Sequence, residues 1–451
     1  MLRLRTYLNT PLPIAPLATF RVLFGGIMLV SVLRFVLKGW VEDYYIAPEY
    51  YFTYYGFDWV RPLGETGMYA LYAVMGGAAL LMMLGLLYRA AAVAFFLSFT
   101  YVELLDKTYY LNHYYFVSIV AFLLIWVPAH RYFSLDVRLG RVAKVEQVPR
   151  WVIGAFRLQL GLVYFFAGAA KLNTDWMLRA QPMRIWLPAH ANVPLVGGLL
   201  KLKATAYAFS WLGTLYDLSI PFWLLIRRIR PLAYVAVIVF HVMTWLLFPI
   251  GMFPWIMILS TLIFFPAERH RRVLERLSRR ASPARPAQSW SPASPTLLAG
   301  LLVLHFAVQI ALPFRHALYP GNLFWHEQGY RFSWRVMLME KAGYAVFFVR
   351  DPRSGAQSEV NNRNYLTPLQ EKMMATQPDM ILQYAHFLQQ EFQAQGIVDP
   401  EIRADVHVTL NGSGTRRFID PEIDLAQVRR GWHAKDWVLP FAPVFTPAGN
   451  F

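Results

Sequence analysis

A long apolar run ends in the stretch Phe165-Phe166-Ala167-Gly168-Ala169-Ala170-Lys171-Leu172-Asn173-Thr174-Asp175-Trp176. The run begins near Trp151, so Lys171 lies about 30 Å further along a helix, which is one bilayer thickness. Two interpretations of Lys171 stay open. It is either a lipid anchor, with its ammonium among the headgroups, or a partly desolvated base that is kept neutral. Position alone favours the anchor.

The composition of the chain is that of a membrane protein. Of its 451 residues, 57% are hydrophobic, and the mean hydropathy is +0.35. Soluble globular chains rarely reach that apolar fraction. Runs long enough to cross a bilayer must be helical, because a helix satisfies its backbone hydrogen bonds internally. The sequence therefore predicts a polytopic α-helical membrane protein.

The net charge of +16 and the absence of cysteine narrow the function classes. The basic residues cluster in short loops between apolar runs, so membrane orientation and anionic lipid explain them better than nucleic acid does. Without cysteine, disulfides, thiolate nucleophiles and cysteine-ligated metals are excluded. The first apolar run is too long for a signal peptide and has no small-residue cleavage site, so we expect a retained span.

Nine apolar runs are predicted to be membrane spans. With the N-terminus in the cytoplasm, the most basic loops of the membrane half all fall on the inner side, as the positive-inside rule requires. Lys171 and the C-terminus then lie outside. The predicted spans are 14–37, 68–87, 90–105, 112–127, 151–170, 207–226, 231–248, 253–265 and 296–314.

The composition changes after the ninth run, and no further apolar span occurs. Residues 344–349 and 406–410 are typical of strands, and residues 378–395 have helical apolar spacing. We therefore expect a transmembrane helical domain over 1–318 and an outward-facing α+β domain over 319–451.

Polar residues at membrane depth are functional candidates, because burying them in a bilayer is costly. Most lie in the outer half under the assigned topology, so one outward-facing pocket is expected to collect them. Structural alternatives stay open: His305 is expected to be a packing histidine, Asp217 a cap or bridge between helices, and Asn112 a helix cap. The polar set is Glu103, Asp106, Asn112, His113, Lys171, Asp217, His241 and His305.

The histidine spacing argues against a membrane di-iron oxidase. Enzymes of that class use several closely spaced histidine pairs, and the eleven histidines here include no pair at i, i+3 or i, i+4. The sequence also lacks a Gly-x-Ser-x-Gly elbow and a phosphate-binding glycine loop. No metal site is predicted.

Four ordered segments of this sequence resemble vitamin K-dependent gamma-glutamyl carboxylase and its bacterial relatives that share the same transmembrane domain. No single segment is specific, but the ordered set covers about residues 17–440. The segments are Asp106-Lys107-Thr108 with Asn112-His113-Tyr114; Tyr164-Phe165 through Ala167-Gly168 with Lys171-Leu172-Asn173-Thr174-Asp175-Trp176; Phe240-His241-Val242-Met243 with Phe248-Pro249-Ile250-Gly251-Met252-Phe253; and Gly329-Tyr330-Arg331-Phe332-Ser333-Trp334.

The resemblance implies an enzyme that oxidises a quinol with O2 and carboxylates glutamate. A base deprotonates the quinol, the quinolate captures O2, and the oxygenated intermediate collapses towards an epoxide. That intermediate is basic enough to remove a γ-proton from a peptide glutamate, and the resulting carbanion takes up CO2. Lys171 matches the base. Asn112 and His113 match residues near the quinone and the glutamate, where a donor stabilises oxyanion charge. The other matched positions are His241, Asp217, Met243 and Phe253 for the quinone, and Tyr330, Ser333 and Trp334 for the glutamate.

The same resemblance implies the partners and the location. The cofactor is vitamin K hydroquinone or menaquinol, with O2 and CO2 as co-substrates. The partners are membrane lipid, quinol and a glutamate-containing peptide or protein, and no nucleic acid is expected. For a bacterial relative we expect the inner membrane, with the N-terminus cytoplasmic and the C-terminal domain periplasmic or extracellular.

The sequence departs from the family pattern in the glutamate segment. The family reads Leu-Tyr-Gly-Tyr-Ser-Trp, with His five residues after the Trp, whereas Gly329, Arg331, Phe332 and Met339 stand at the changed positions here. Quinol oxidation is therefore better preserved than carboxylation. The alternatives are a quinol epoxidase without carboxylation, a different quinol or lipid oxidase, and a non-catalytic membrane scaffold whose outer domain binds a partner.

Overall fold

A helical membrane half is followed along the chain by a smaller region of strands and helices. The structure is a computed structural model, and it describes residues 2–194, 196–278 and 288–442. The membrane half contains α1 (Leu2–Asn9), β1 (Pro11–Pro13), α2 (Ala15–Leu37), α3 (Trp40–Tyr45), α4 (Gly64–Leu84), α5 (Tyr88–Leu105), α6 (Asn112–Trp126), α7 (Leu135–Arg138), β2 (Gln147–Pro149), α8 (Arg150–Ala170), α9 (Thr174–Arg179), α10 (Met183–Ala189), α11 (Gly197–Leu200), α12 (Lys203–Leu225), α13 (Arg230–Leu247), α14 (Phe253–Thr261), α15 (Ala267–Ser278) and α16 (Pro295–Ala311).

A helix lies at each of the nine positions where a span is predicted, which confirms the polytopic helical class. The count of nine spans is not confirmed, because six helices in the described ranges are long and apolar enough to cross a membrane. The α6 helix has 15 residues, short of the roughly 20 that a bilayer requires. The six are Ala15–Leu37, Gly64–Leu84, Tyr88–Leu105, Arg150–Ala170, Arg230–Leu247 and Pro295–Leu318.

A buried arginine ties together the ends of three helices of the membrane half. Arg21 of α2 is fully buried, and its guanidinium donates to the carbonyl oxygens of Met82 and Met83, each at 2.7 Å. It also donates to the carbonyl oxygen of Ala129, beyond the end of α6, at 3.1 Å. The last carbonyls of a helix have no partner within it. Arg21 therefore supplies donors that the end of α4 needs.

The C-terminal region is built on one antiparallel sheet. Its strands lie in the order β4-β3-β5-β6, and alternate residues of β5 are buried, from Ile402 to Leu410. One face of the sheet packs on a helix, with the rings of Phe347 and Tyr384 at 5.0 Å. The α+β class is thus confirmed, while the boundary between 318 and 319 stays a prediction. The elements are α17 (Leu323–His326), β3 (Lys341–Arg350), β4 (Gln357–Val360), α18 (Pro368–Met374), α19 (Pro378–Ala394), β5 (Glu401–Leu410) and β6 (Thr415–Arg417).

Three charged side chains attach this outer region to the membrane half. Lys107 lies in the turn between α5 and α6, and its Nζ is 2.9 Å from Oδ2 of Asp379 in the first turn of α19. The same oxygen is 2.8 Å from Nη1 of Arg331. Burial alone would raise the pKa of Asp379, but Arg331 and Lys107 hold it well below its usual range. Burial lowers the pKa of Lys107 to about 8. One carboxylate therefore bridges two cations at the junction.

Replacing Asp379 by Asn should destabilise this attachment by about 2 kcal/mol, because two poorly hydrated cations lose their shared carboxylate. Thermal unfolding of the purified protein in detergent measures the change, with the exposed Glu359→Gln as the matched control. The pKa of Asp379 is lower in the folded protein than the ordinary 3.8, so its contribution is present above that value and lost as the pH falls. The difference between wild type and variant should therefore shrink in acid. Equal unfolding temperatures at neutral pH would contradict the assignment.

Candidate functional site

The end of α8 fixes the position of Lys171. The helix ends at Ala170 and Lys171 is its C-cap. Two residues later, the Asn173 side chain accepts a hydrogen bond from the backbone N–H of Trp176 at 3.0 Å and so begins α9. The indole N–H of Trp176 donates to the carbonyl oxygen of Ser210 on α12 at 2.8 Å. The chain on both sides of Lys171 is therefore anchored.

A close approach of α8 and α12 brings a carboxylate to the lysine. A Cβ atom on Gly168 would lie 2.8 Å from the backbone nitrogen of Leu218, so this approach requires glycine. The Lys171 Nζ is 2.6 Å from Oδ2 of Asp217 and 3.2 Å from the carbonyl oxygen of Ala167. Lys171 is 6% exposed and Asp217 is 4% exposed. A lipid anchor would extend its ammonium to the headgroups, so the anchor interpretation does not describe this geometry.

Two histidines meet at one phenyl ring near this pair. The ring centroid of Phe253 on α14 is 5.6 Å from that of His241 on α13 and 5.8 Å from that of His113 on α6. The Nδ1 of His241 is 2.8 Å from the carbonyl oxygen of Val237. A carbonyl only accepts, so Nδ1 carries the proton, and Nε2 of the neutral ring is left as an acceptor. The His241 ring also lies 6.3 Å from that of Tyr216, the residue before the paired carboxylate.

Asn112 connects the membrane half to the outer segment, defined as residues 329–335, which follow the apolar helices along the chain. Its amide nitrogen donates to the carbonyl oxygen of Arg335 at 2.9 Å, and its amide oxygen accepts from the Tyr110 hydroxyl at 3.1 Å. That hydroxyl in turn accepts from the backbone N–H of Phe332 at 2.7 Å. The α6 helix begins at Asn112, and its N-cap is Leu111. The helix-cap interpretation of Asn112 is therefore wrong, and its side chain bridges two parts of the chain.

The three predicted glutamate-binding residues lie in the segment that Asn112 contacts. The Ser333 hydroxyl donates to the carbonyl oxygen of Gly329 at 2.7 Å, and the Trp334 ring stacks on Tyr115 at 4.9 Å. Ser333 and Trp334 are almost fully buried, and the Tyr330 ring lies beside that of another aromatic residue, 6.4 Å away. Ser333 and Trp334 thus support the segment from within.

A cavity of about 150 Å³ lies beside this segment and is rich in cations. Five lysines and arginines line it, against the two carboxylates of Glu327 and Asp379. Burial lowers the pKa of Lys435, one of these cations. The excess of positive charge suits an anionic group. The basic lining residues are Lys107, Arg315, Arg331, Arg430 and Lys435.

The polar residues predicted to share one pocket are distributed over several places. Asp106 accepts a hydrogen bond from the side-chain amide of Gln370 on α18 at 2.8 Å. Glu103 and His305 line a second, largely apolar cavity, which shares Tyr54 and Phe332 with the cation-lined one. Met243 packs against the apolar cluster that contains Trp176. The expectation of one common pocket is therefore not met.

Two arrangements at the site are not evident from local sequence patterns. The pairing of Lys171 with Asp217 joins residues 46 positions apart. Its only sequence signal is that a lysine at membrane depth requires an anion, and Asp217 is the carboxylate within the sixth predicted span. The cluster of Lys107, Arg331 and Asp379 draws on three distant segments and has no such signal.

Comparisons with known families agree with the resemblance noted in the sequence. Residues 9–268 match the family model described as the HTTM domain. Residues 294–443 match the model described as the vitamin K-dependent gamma-carboxylase lumenal domain. No solved structure matches this chain.

The close helix approach predicts opposite results for two glycines of α8. Gly168→Ala should lower the unfolding temperature in detergent, because the new Cβ collides with the Leu218 backbone and separates Lys171 from Asp217. Gly154→Ala is the matched control, since a Cβ there meets nothing within 4 Å and alanine favours a helix by roughly 1 kcal/mol. Equal effects of the two substitutions would show that the approach of α8 to α12 is not constrained.

Proposed function

The chain belongs to the HTTM family of membrane proteins and carries a vitamin K-dependent gamma-carboxylase lumenal domain, and on this premise we propose that it is a quinol-oxidising carboxylase. In the proposed reaction a quinol and O2 give quinone epoxide and water, while CO2 replaces a γ-hydrogen of a peptide glutamate. The quinol is vitamin K hydroquinone or menaquinol. The single observation that carries the proposal is the buried pair of Lys171 and Asp217.

The Lys171–Asp217 pair is suited to accept a proton. In the ion-paired form, the ammonium holds the proton next to the carboxylate at 2.6 Å. Transfer of that proton to Oδ2 leaves a neutral amine, which can take a proton from a nearby hydroxyl. The outcome is an ammonium beside the new oxyanion and a neutral carboxyl on Asp217. In this mechanism, Lys171 is the base and Asp217 is the residue on which the additional proton ends.

The aromatic and imidazole side chains beside the pair fit a planar ring with two hydroxyl groups. In the neutral His241 ring, Nε2 is a free acceptor, and Phe253 supplies a ring surface between His241 and His113. Met243 would bound the site on the side of the Trp176 cluster. A bound quinol, oxidised to its quinone epoxide, supplies the four electrons that reduce O2 to the epoxide oxygen and water. The residues of this chain would orient its hydroxyl toward Lys171.

The cation-lined cavity of about 150 Å³ beside the outer segment, here called the outer cavity, is the proposed place of the glutamate substrate. Its excess of cations suits a carboxylate, and Tyr330, Ser333 and Trp334 would shape its wall from within the segment. Asn112 bonds to the carbonyl of Arg335, so it could transmit the position of that segment to the membrane half. The proposed orientation places this cavity outside, with the N-terminus in the cytoplasm, residues 1–318 in the membrane domain and residues 319–451 facing outward.

Two changes from the family pattern favour quinol epoxidation without carboxylation. Arg331 stands where the family has glycine, and its guanidinium occupies the outer cavity in contact with Asp379 and Gln377. Met339, at the position of the family's histidine, packs against the apolar core of the outer region instead. Both changes affect the glutamate side, whereas the Lys171 side is intact. The epoxidase is therefore the second candidate function.

Lys171→Ala should reduce quinol epoxide formation by purified protein in lipid nanodiscs by about a thousandfold, because general-base catalysis is lost. Lys171→Arg should not restore activity, since a guanidinium stays protonated. Asp217→Asn should also be impaired, by roughly a hundredfold. The matched control is Lys201→Ala, an exposed lysine between α11 and α12. Unchanged epoxide formation in Lys171→Ala would contradict the role of Lys171 as the base. If the wild-type protein turned over none of several quinols, the non-catalytic scaffold would be favoured.

Met339→His should raise the incorporation of labelled CO2 into a glutamate peptide by roughly tenfold, because it returns an imidazole to the glutamate side. Met339→Leu preserves the apolar packing and serves as the control. The expected split is a gain in carboxylation with little change in epoxide formation. If neither variant incorporates CO2 while epoxide still forms, the epoxidase without carboxylation is the correct function.

A further inference from the structure

A second cavity lies in the membrane half between α5, α6 and α16. Its volume is about 260 Å³, larger than that of the outer cavity. Thr100, Glu103 and Leu104 line it from α5, and Ser118 and Phe122 line it from α6. Within each helix these residues recur at helical spacing, so each set forms one face. The walls are therefore two helix faces turned toward each other.

This cavity is separate from the Lys171 site. On α6, Ser118 and Phe122 share a face with Tyr115, at spacings of three and four residues. His113 lies two residues before Tyr115. Two residues turn a helix by about 200°, so the two side chains lie on nearly opposite sides of α6. His113 is buried against Phe253 of the other cluster. The helix therefore stands between the two sites.

Glu103 and His305 are the one carboxyl and the one imidazole of a lining whose other described residues are apolar, aromatic or hydroxyl-bearing. Within residues 2–194, 196–278 and 288–442, no hydrogen bond or ion pair engages the carboxyl of Glu103. The Nε2 of His305 is 2.9 Å from Oε1 of Gln159, to which it donates, so Nδ1 of the neutral ring is left as an acceptor. His305 is therefore held in the helix packing through Nε2, while its Nδ1 stays open to the cavity.

The imidazole is also held in place by a chain of hydrogen bonds. The amide of Gln159 is 3.4 Å from Oε1 of Gln309, and the amide of Gln309 donates to the Tyr115 hydroxyl at 2.8 Å. The His305 ring stacks on Phe122 at 5.9 Å. Burying amides and an imidazole at membrane depth costs free energy, so such groups pair with one another or serve a function. This network fixes the polar end of the cavity without filling it.

We infer that this cavity binds a lipid-soluble molecule with an apolar or aromatic body and a hydroxyl group, which donates to Glu103 or to Nδ1 of His305. A hydroxyl satisfies an acceptor that the protein leaves open, and the phenyl and phenol rings of the lining suit the apolar body. The membrane offers two sources of this chemistry, a quinol and a lipid alcohol. The inference is independent of the proposed function, because the cavity lies apart from Lys171.

The test is photolabelling in lipid nanodiscs with a diazirine-bearing hydroquinone, followed by peptide mapping. The probe should label residues 96–104 and 115–122 and α16, with unlabelled tetramethylhydroquinone or oleyl alcohol as competitors, whereas labelling of His113 would report the Lys171 site. Competition by the hydroquinone identifies a quinol site, and competition by the alcohol identifies a lipid-alcohol site. Ser118→Phe, which fills the cavity, should reduce this labelling at least tenfold. Leu97→Phe, an exposed position on α5, is the matched control and should leave it unchanged.

Further variants test the polar contact and separate the two sites. Glu103→Leu should weaken competition by the hydroquinone or the alcohol but not by the corresponding methyl ether. Lys171→Ala should leave the labelling of this cavity intact even if it abolishes quinol turnover. Labelling that survives Ser118→Phe, or that competes equally well with the methyl ether in wild type, would overturn the inference.

Discussion

The Lys171 ammonium and the Asp217 carboxylate lie 2.6 Å apart, with little of either residue exposed. Withdrawing two charges from water is costly, and only close contact offsets that cost. The contact in turn requires α8 and α12 to approach closely at Gly168, and the indole of Trp176 to hold the following turn on Ser210. Tyr216, next to Asp217 on α12, lies 6.3 Å from the His241 ring, which in turn contacts Phe253. A buried pair of this kind does not reach the lipid headgroups as an anchor would. It suits proton transfer, because either partner can carry the proton.

The outer region is joined to the membrane half at the turn between α5 and α6. Lys107 of that turn pairs with Asp379, and Asn112, at the start of α6, bonds to Arg335. The same helix carries His113 toward Phe253 on one side and lines the apolar cavity on another. Movement of the outer segment would therefore reach both membrane sites through α6. This arrangement suits a reaction in which a lipid-soluble reductant and a water-borne substrate act together.

The features that the sequence predicts well are those determined by local physics. Apolar runs of bilayer length give the helices, and alternation gives β3 and β5, because both patterns follow from backbone hydrogen bonding and one-sided burial. The α6 run is predicted as a full span, but its helix is only 15 residues long. Contacts between distant segments were not predicted from the sequence. Nothing near Asp379 in sequence indicates that it contacts Lys107 and Arg331. The position of Asn112 before an apolar run predicts a helix cap, because its distant partner Arg335 is not evident from the sequence. Glu103 and His305 were expected to share the pocket of Lys171, but helix rotation turns them to another face.

The most direct measurement is infrared difference spectroscopy of the protein in nanodiscs, recorded as a quinol is added without oxygen. A protonated-carboxyl signal should arise on quinol binding, because the pair gains a proton that ends on Asp217. The signal should shift with isotope-labelled aspartate and disappear in Asp217→Asn. Quinol binding without such a signal, or the same signal in Asp217→Asn, would contradict the claim that the Lys171–Asp217 pair accepts the proton.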